Sequence, residues 1–300
     1  MGFRNYCQEY FETGGKGKLS SYQKYVELSR SRYINYYSAI ALNRYRWDDL
    51  PTRNGREVIS SYLIEKMLFY HGECFIYENE EFGLICLPSK GIEPDIYNEP
   101  TMVEVHGYGF NDVVEVSKGV RIKNTDLATP CSHSVFYYCN ELAHCDARMN
   151  KNAKQQLMPY FIGTTKDNKL DGNIIAEQIE DNVAMTIVDR QHTEDMGKTI
   201  VHPTLAPFLL DKFQQHKLSI QRELLEYLGI NCSHEKKERL LVDEIHMNNE
   251  FIYQSLDIGL KTREEACEQI NRMFGDKYQF ELTVTNTSDM VSDTLVKGGE

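Results

Sequence analysis

No run of about eighteen apolar residues occurs in the 300-residue chain, so no segment is expected to span a membrane. The opening Met1-Gly2-Phe3-Arg4-Asn5-Tyr6 has no apolar signal core, and Tyr6 stands where N-myristoylation wants Ser or Thr. Export and lipid anchoring are therefore not expected. The eight cysteines (Cys7, Cys74, Cys86, Cys131, Cys139, Cys145, Cys232 and Cys267) include no Cys-x-x-Cys pair, and the expectation is reduced, buried thiols. Positive charge is also short. Lys and Arg number 33 against 45 Asp and Glu, a net charge of −12. Sequence-independent DNA binders are basic because phosphate neutralisation drives their affinity, so a repressor or histone-like role is not expected. Gly14-Gly15-Lys16-Gly17-Lys18 is not a phosphate loop: Leu19 follows Lys18, and Glu12 stands where the first Gly belongs. Residues 1–18 read as a flexible arm.

What is present is enough for a packed core, with 41% hydrophobic residues. Ser20 or Ser21 can cap a helix over 21–46 that carries Tyr22, Tyr25, Tyr33, Tyr36, Tyr37 and Tyr45, read as packing residues. Asn54-Gly55 reads as a turn and 57–70 as a second helix. Period-2 runs at 74–77, 82–87, 101–105, 113–116 and 120–122, punctuated by Gly and Pro, predict a small twisted antiparallel sheet or barrel. Thr129 as cap and Pro130 at the first position open a helix to about 156. Residues 151–202 read as an α/β insertion, with strands at 159–164, 183–188 and about 199–201, a turn at Asp167-Asn168 and a helix at 173–179. Its two ends must lie close together if the flanking helices pack side by side.

The stretch from 205 to 274 organises the rest. Leu210, Phe213, Leu218, Leu224, Leu225 and Leu228 recur near a 3.6 period, and Gly229 supplies the left-handed stop. A charged run follows at 233–239, then Asp243-Glu244. A helix predicted over 262–271 opens with a capping box, Thr262 with Glu265, and closes at Gly275. The polar tail after Thr283 is expected to be mostly disordered.

Four phrases then fall in one order: Trp47-Asp48-Asp49-Leu50-Pro51, Asp95-Ile96-Tyr97-Asn98, Glu235-Lys236-Lys237-Glu238-Arg239 after a helix ending in Leu-Gly-Ile, and Arg263-Glu264-Glu265-Ala266-Cys267-Glu268. In this order, over roughly 30–285, the chain resembles the upper collar proteins, or portal connectors, of phi29-like short-tailed phages. The resemblance implies an α+β portal fold: an arm, wing helices and small β-rich, SH3-like wing at 1–129, stem helices at 130–156 and 204–229, and an α/β clip at 157–203. It also implies a channel loop at 230–249, a wing or crown region at 250–285 and a disordered tail at 286–300. The implied assembly is a dodecameric ring at the head–tail vertex of the virion, made in the host cytoplasm. Genomic DNA is packaged and ejected through it, and the tail attaches to it. Implied partners are double-stranded DNA, major capsid and scaffold proteins, a transient packaging ATPase with or without packaging RNA, and a lower collar or tail protein. Catalysis, cofactor and metal are not expected.

For channel contacts, the resemblance implies Lys236, Lys237 and Arg239 in the loop and Lys212 as one lysine ring. At the second ring position stands Pro203 beside His202, with Lys198 the candidate substitute. The arm is also poor in cations, with Arg4, Lys16 and Lys18 against Glu9 and Glu12. Two other classes compete: a zinc-dependent hydrolase or deaminase using His71, Glu73, Cys131 and His133, and a monomeric nucleic-acid-binding module.

Overall fold

The computed structural model describes residues 21–53, 56–57, 59–157, 160–163, 200–203, 207–230 and 242–287. The chain divides into two compact units, one of Met1–Ser29 with Leu142–Ser219 and one of Arg30–Glu141 with Ile220–Glu300.

The second unit is built on five strands: β4 (Glu73–Asn79), β5 (Gly83–Pro94), β6 (Pro100–Gly107), β7 (Phe110–Glu115) and β8 (Gly119–Lys123). All pairings are antiparallel, in the order β7-β6-β5-β4-β8, as the period-2 runs predict. β5 changes partner along its length. Up to Pro88 it pairs with β4, and from Ser89 with β6. Successive side chains point to opposite faces of a strand, so β4 feeds two cores. Cys74 and Ile76 join Leu68, Val120, Ile122, Cys267, Ile270 and Phe274 under the helices. Phe75 and Tyr77 join Val103, Val105 and Val114 on the other side, where the sheet curls over itself. Full burial of each large apolar side chain contributes about 1.5–3 kcal/mol.

The first helix, α1, spans Ser21–Leu42 and stops short of the expected 46. Tyr45–Asp48 is instead a strand, β1, paired antiparallel with β11, Thr283–Asn286. Tyr45 and Trp47 are both 3% exposed while Arg46 points out, so period 2 overrides helical continuation. The same pairing corrects the expectation of a disordered tail at Thr283–Asn286; residues 288–300 lie outside the described residues. Helix α2 runs Ser61–His71, not 57–70. The Ser60 side chain accepts the Leu63 N–H at 3.2 Å, and Arg56–Glu57 pairs with Thr52–Arg53 as β3 with β2. Helix α3 spans Ser132–Leu157, beginning two residues after Pro130. Thr129 is not its cap: its hydroxyl lies 3.2 Å from that of Thr125, and Val135 N–H donates to the Cys131 carbonyl.

Helix α4 covers Leu210–Tyr227 and ends as the sequence predicts. Gly229 has φ of 73°, its N–H donates to the Glu226 carbonyl at 2.9 Å, and the Ile230 N–H donates to the Leu225 carbonyl at 2.8 Å, a Schellman closure. Within the helix Ile220 and Leu224 are buried, but Leu218 is 46% exposed. A Cβ on Gly229 would lie 2.4 Å from Leu256 Cγ. Gly229→Ala is therefore expected to cost about 2–4 kcal/mol, the left-handed penalty plus displacement of Leu256. Urea denaturation checks this; a loss below about 0.5 kcal/mol would mean the closure is not the one described.

Helix α5 is one element from Val242 to Ile270, so Thr262 does not begin a helix. Its hydroxyl donates back to the Gly259 carbonyl at 3.1 Å. Residues 242–249, expected as the end of a loop, are the first turns of this helix, and 231–241 lie outside the described residues. A π-helical turn, Asn271–Gly275, and a short helix α6, Asp276–Tyr278, carry the chain past Gly275. Gln279 takes φ of 54°, and the Phe280 N–H donates to the Gly275 carbonyl at 3.3 Å, so the stop falls four residues later than expected.

In the first unit, one amide ties α3 to the residues that lead into α4. Asn152 Nδ2 donates to the Pro207 carbonyl at 3.0 Å, and Asn152 Oδ1 accepts the Leu209 N–H at 3.1 Å. Strand β9 (Tyr160–Gly163) pairs antiparallel with β10 (Ile200–Pro203), from Pro203 opposite Tyr160 to Ile200 opposite Gly163. The two ends of the insertion are therefore adjacent, as packed flanking helices require. The strand at 183–188, the helix at 173–179 and the turn at Asp167-Asn168 lie outside the described residues.

Candidate functional site

Of the five cations expected to meet DNA, Lys212 is described. Lys198, Lys236, Lys237 and Arg239 lie outside the described residues. Lys212 stands in the first turn of α4 beside Asp211, on the exposed side, while Phe213 and Lys217 turn inward. Lys217 is held: its ammonium lies 2.7 Å from Asp146 Oδ1 on α3, with side chains 19% and 9% exposed. The two lysines therefore differ in kind, one fixing the helix pair and one presented outward. Lys212→Ala is expected to change the unfolding free energy by less than about 0.5 kcal/mol, as for other exposed positions without packing partners. Chemical denaturation decides it; a larger loss would make Lys212 architectural.

The second unit holds a guanidinium that the sequence reading did not single out as a site. Arg263 is 1% exposed. All five of its N–H groups find acceptors. Nε donates to Glu65 Oε1 at 2.8 Å and Nη2 to Glu65 Oε2 at 2.8 Å. Nη2 also reaches Asn124 Oδ1 at 3.1 Å, and Nη1 reaches the carbonyls of Gly259 and Asn124 at 2.8 and 3.3 Å. Trp47 Nε1 donates to Glu65 Oε1 at 2.9 Å. The guanidinium carbon lies 4.1 Å from the Tyr45 ring centre, and the Tyr45 hydroxyl donates to the Leu256 carbonyl at 3.0 Å. Burial disfavours the charged guanidinium, but the Glu65 carboxylate outweighs it, so the Arg263 pKa lies above the ordinary arginine value. Burial likewise pushes the Tyr45 phenol up, against the opposing pull of Arg44 and Arg263. A closed set of partners leaves no donor for a substrate, and the cluster's work is to join α2, α5, β1 and the segment after β8. One signal was available. The buried positions of α5 recur at Gly259, Thr262, Arg263, Ala266, Cys267 and Ile270, and a charge inside such a stripe demands a buried counter-charge.

The residues considered for zinc do not converge. Glu73 Oε2 pairs with Arg121 Nη2 at 2.5 Å, and Glu73 Oε1 accepts the Gly91 N–H at 2.9 Å. Cys131 Sγ accepts from Asn124 Nδ2 at 3.0 Å, while His133 is exposed. Among the described residues no group of three or more His, Cys, Asp or Glu could hold a metal ion. Six cysteines are described, all buried and none in a disulfide. Burial pushes the Cys139 and Cys267 thiols up to about 12, far from a nucleophile's range.

Two solved structures are similar over most of the chain. A chain of the portal and tail of native bacteriophage P68 is 16% identical, covering 91% of this chain and 92% of its own, with a TM-score of 0.42. An HK97-family phage portal protein from Corynebacterium diphtheriae is 10% identical, covering 87% and 93%, with a TM-score of 0.51. The second likeness defines the class by fold: an α+β chain of the phage portal type. Residues 21–290 match the family model described as Phage Connector (GP10), and the chain belongs to that family. Its role is that of a phage portal, or connector, protein.

Proposed function

We propose that twelve copies of this chain close into a ring at the head–tail vertex of a virion, around a channel through which double-stranded genomic DNA is packaged and ejected. The observation that carries the reading is the family match across residues 21–290. Within it, residues 130–156 and 204–229 act as the stem and 157–203 as the clip, a division supported by the Asn152 tie between the two stem segments and by the adjacent ends of the insertion. The exposed Phe208 and Leu218 on the second stem segment suit burial against a neighbouring copy. Lys212 then faces the channel, with Lys236, Lys237, Arg239 and Lys198 as further contacts to phosphates. Capsid and scaffold proteins hold the wide end, a packaging ATPase docks transiently, and a lower collar or tail protein seats on the clip. The chain itself catalyses nothing, and assembly takes place in the host cytoplasm.

Light scattering on the purified protein, with electron microscopy, tests this. A mass of about twelve times 34.9 kDa and a central hole are expected. Solitary particles with the mass of one chain in every buffer would overturn it.

A further inference from the structure

Beside the second half of β5 lies a cleft of about 860 Å³, inside the unit of Arg30–Glu141 and Ile220–Glu300. Its charge runs against the chain's −12. Lys90, Arg121, His71 and His106 line it, with Glu73 the one carboxylate among the lining residues. Glu73 is already engaged by Arg121 Nη2 and the Gly91 N–H. Arg121 is not used up in return. Its Nη1 approaches Glu99 only at 3.8 Å, and its buried Nε has no partner among the described residues. Ser89, 7% exposed and also in the lining, has a buried hydroxyl in the same condition. Buried donors without acceptors are rare, and two beneath one cleft mark a place where polar partners are missing.

The lining also has an apolar part, Pro88, Pro94 and Pro100 with Ile92, and Pro100 and Arg121 both come up against Gly91. Burial and then His106 hold the His71 pKa below the usual histidine value. Lys90 and Arg121 are the lysine and arginine of the lining. Glu99 stands exposed nearby, and the half-buried Glu104 lies 3.7 Å from His106 Nε2. A nucleic-acid groove would need a track of cations and aromatic faces for bases, and no Phe, Tyr or Trp lines this cleft. Two cations beside a proline wall suit a single carboxylate flanked by apolar residues.

We propose that this cleft binds an acidic peptide segment of a partner protein, its carboxylate beside Arg121 and Lys90 and its apolar neighbours against Pro88, Pro94 and Pro100. The probe is a fluorescent leucyl-glutamyl-leucyl-proline amide, read by polarisation against the full-length protein. Its glutaminyl counterpart is expected to bind at least about tenfold more weakly, the worth of one charge-assisted hydrogen bond. Lys90→Ala with His106→Ala should weaken the glutamyl peptide by at least about tenfold on the same grounds. Arg121→Lys, which keeps a cation for Glu73, should weaken it by less. Each variant is first required to keep the parent's Trp47 emission and assembled mass. Equal affinity for both peptides, no detectable binding, indifference to Lys90→Ala with His106→Ala, or equally effective competition by inorganic phosphate or short single-stranded DNA would each overturn the proposal.

Discussion

Replacing Arg263 by Ala is expected to lower the unfolding free energy by about 3–5 kcal/mol, as breaking one side of a buried ion pair does. The substitution leaves the Glu65 carboxylate, 3% exposed, with Trp47 Nε1 as its donor. It also removes acceptor-bound hydrogens from the Asn124 side chain and from the Gly259 and Asn124 carbonyls. Arg263→Lys should fall between, because a point ammonium with three donors cannot reproduce a planar fork that serves both Glu65 oxygens and three further acceptors. The double variant Arg263→Met with Glu65→Leu should recover part of the loss by removing both charges, leaving the Trp47 indole N–H as the main orphan, at about 1–3 kcal/mol. Trp47 is the only tryptophan, and its indole sits on Glu65, so its emission during urea denaturation reports the cluster directly. All variants must be compared at one chain concentration, since the proposed self-association would link stability to it. A single-variant loss below about 1 kcal/mol would show that the guanidinium is not held as described.

That cluster marks the limit of what the sequence could disclose. The five strands of the sheet were legible because Gly and Pro punctuate period-2 runs, and Gly229 because a stop after an apolar 3.6-residue repeat is a local signal. Glu65 and Arg263 are 198 residues apart, and nothing local joins them. The same holds for β1 and β11, where Trp47 pairs with Val284. Thr262 misled for a physical reason. Thr-x-x-Glu is a capping pattern, but a threonine hydroxyl inside a helix can donate to the carbonyl three residues back, as it does to Gly259. Burial of Thr262 beside Arg263 holds it there. Of the candidate channel residues, Lys212 alone falls among the described residues, exposed in the first turn of α4.

Replacing Lys236, Lys237 and Arg239 together by Ala is expected to leave ring assembly intact while packaged DNA escapes. In the proposed ring the run Glu235-Lys236-Lys237-Glu238-Arg239, which lies outside the described residues, supplies the loop that meets DNA. Each cation contributes little to retention, because a phosphate contact exchanges readily with salt. A ring repeats the three cations in every copy, and many weak contacts acting on one duplex multiply rather than add in the equilibrium constant. Removing them all should therefore reduce the retained genome by at least about tenfold, while one substitution alone changes little. Nuclease-protected DNA per particle, measured after packaging and again after a hold, gives the answer, with light scattering as the control for assembly. The effect should shrink as ionic strength falls, because the remaining cations, Lys212 among them, then hold phosphate more strongly. Particles that keep their DNA would remove the loop from the channel contacts. A variant that forms no rings would make the charged run part of the subunit interface instead.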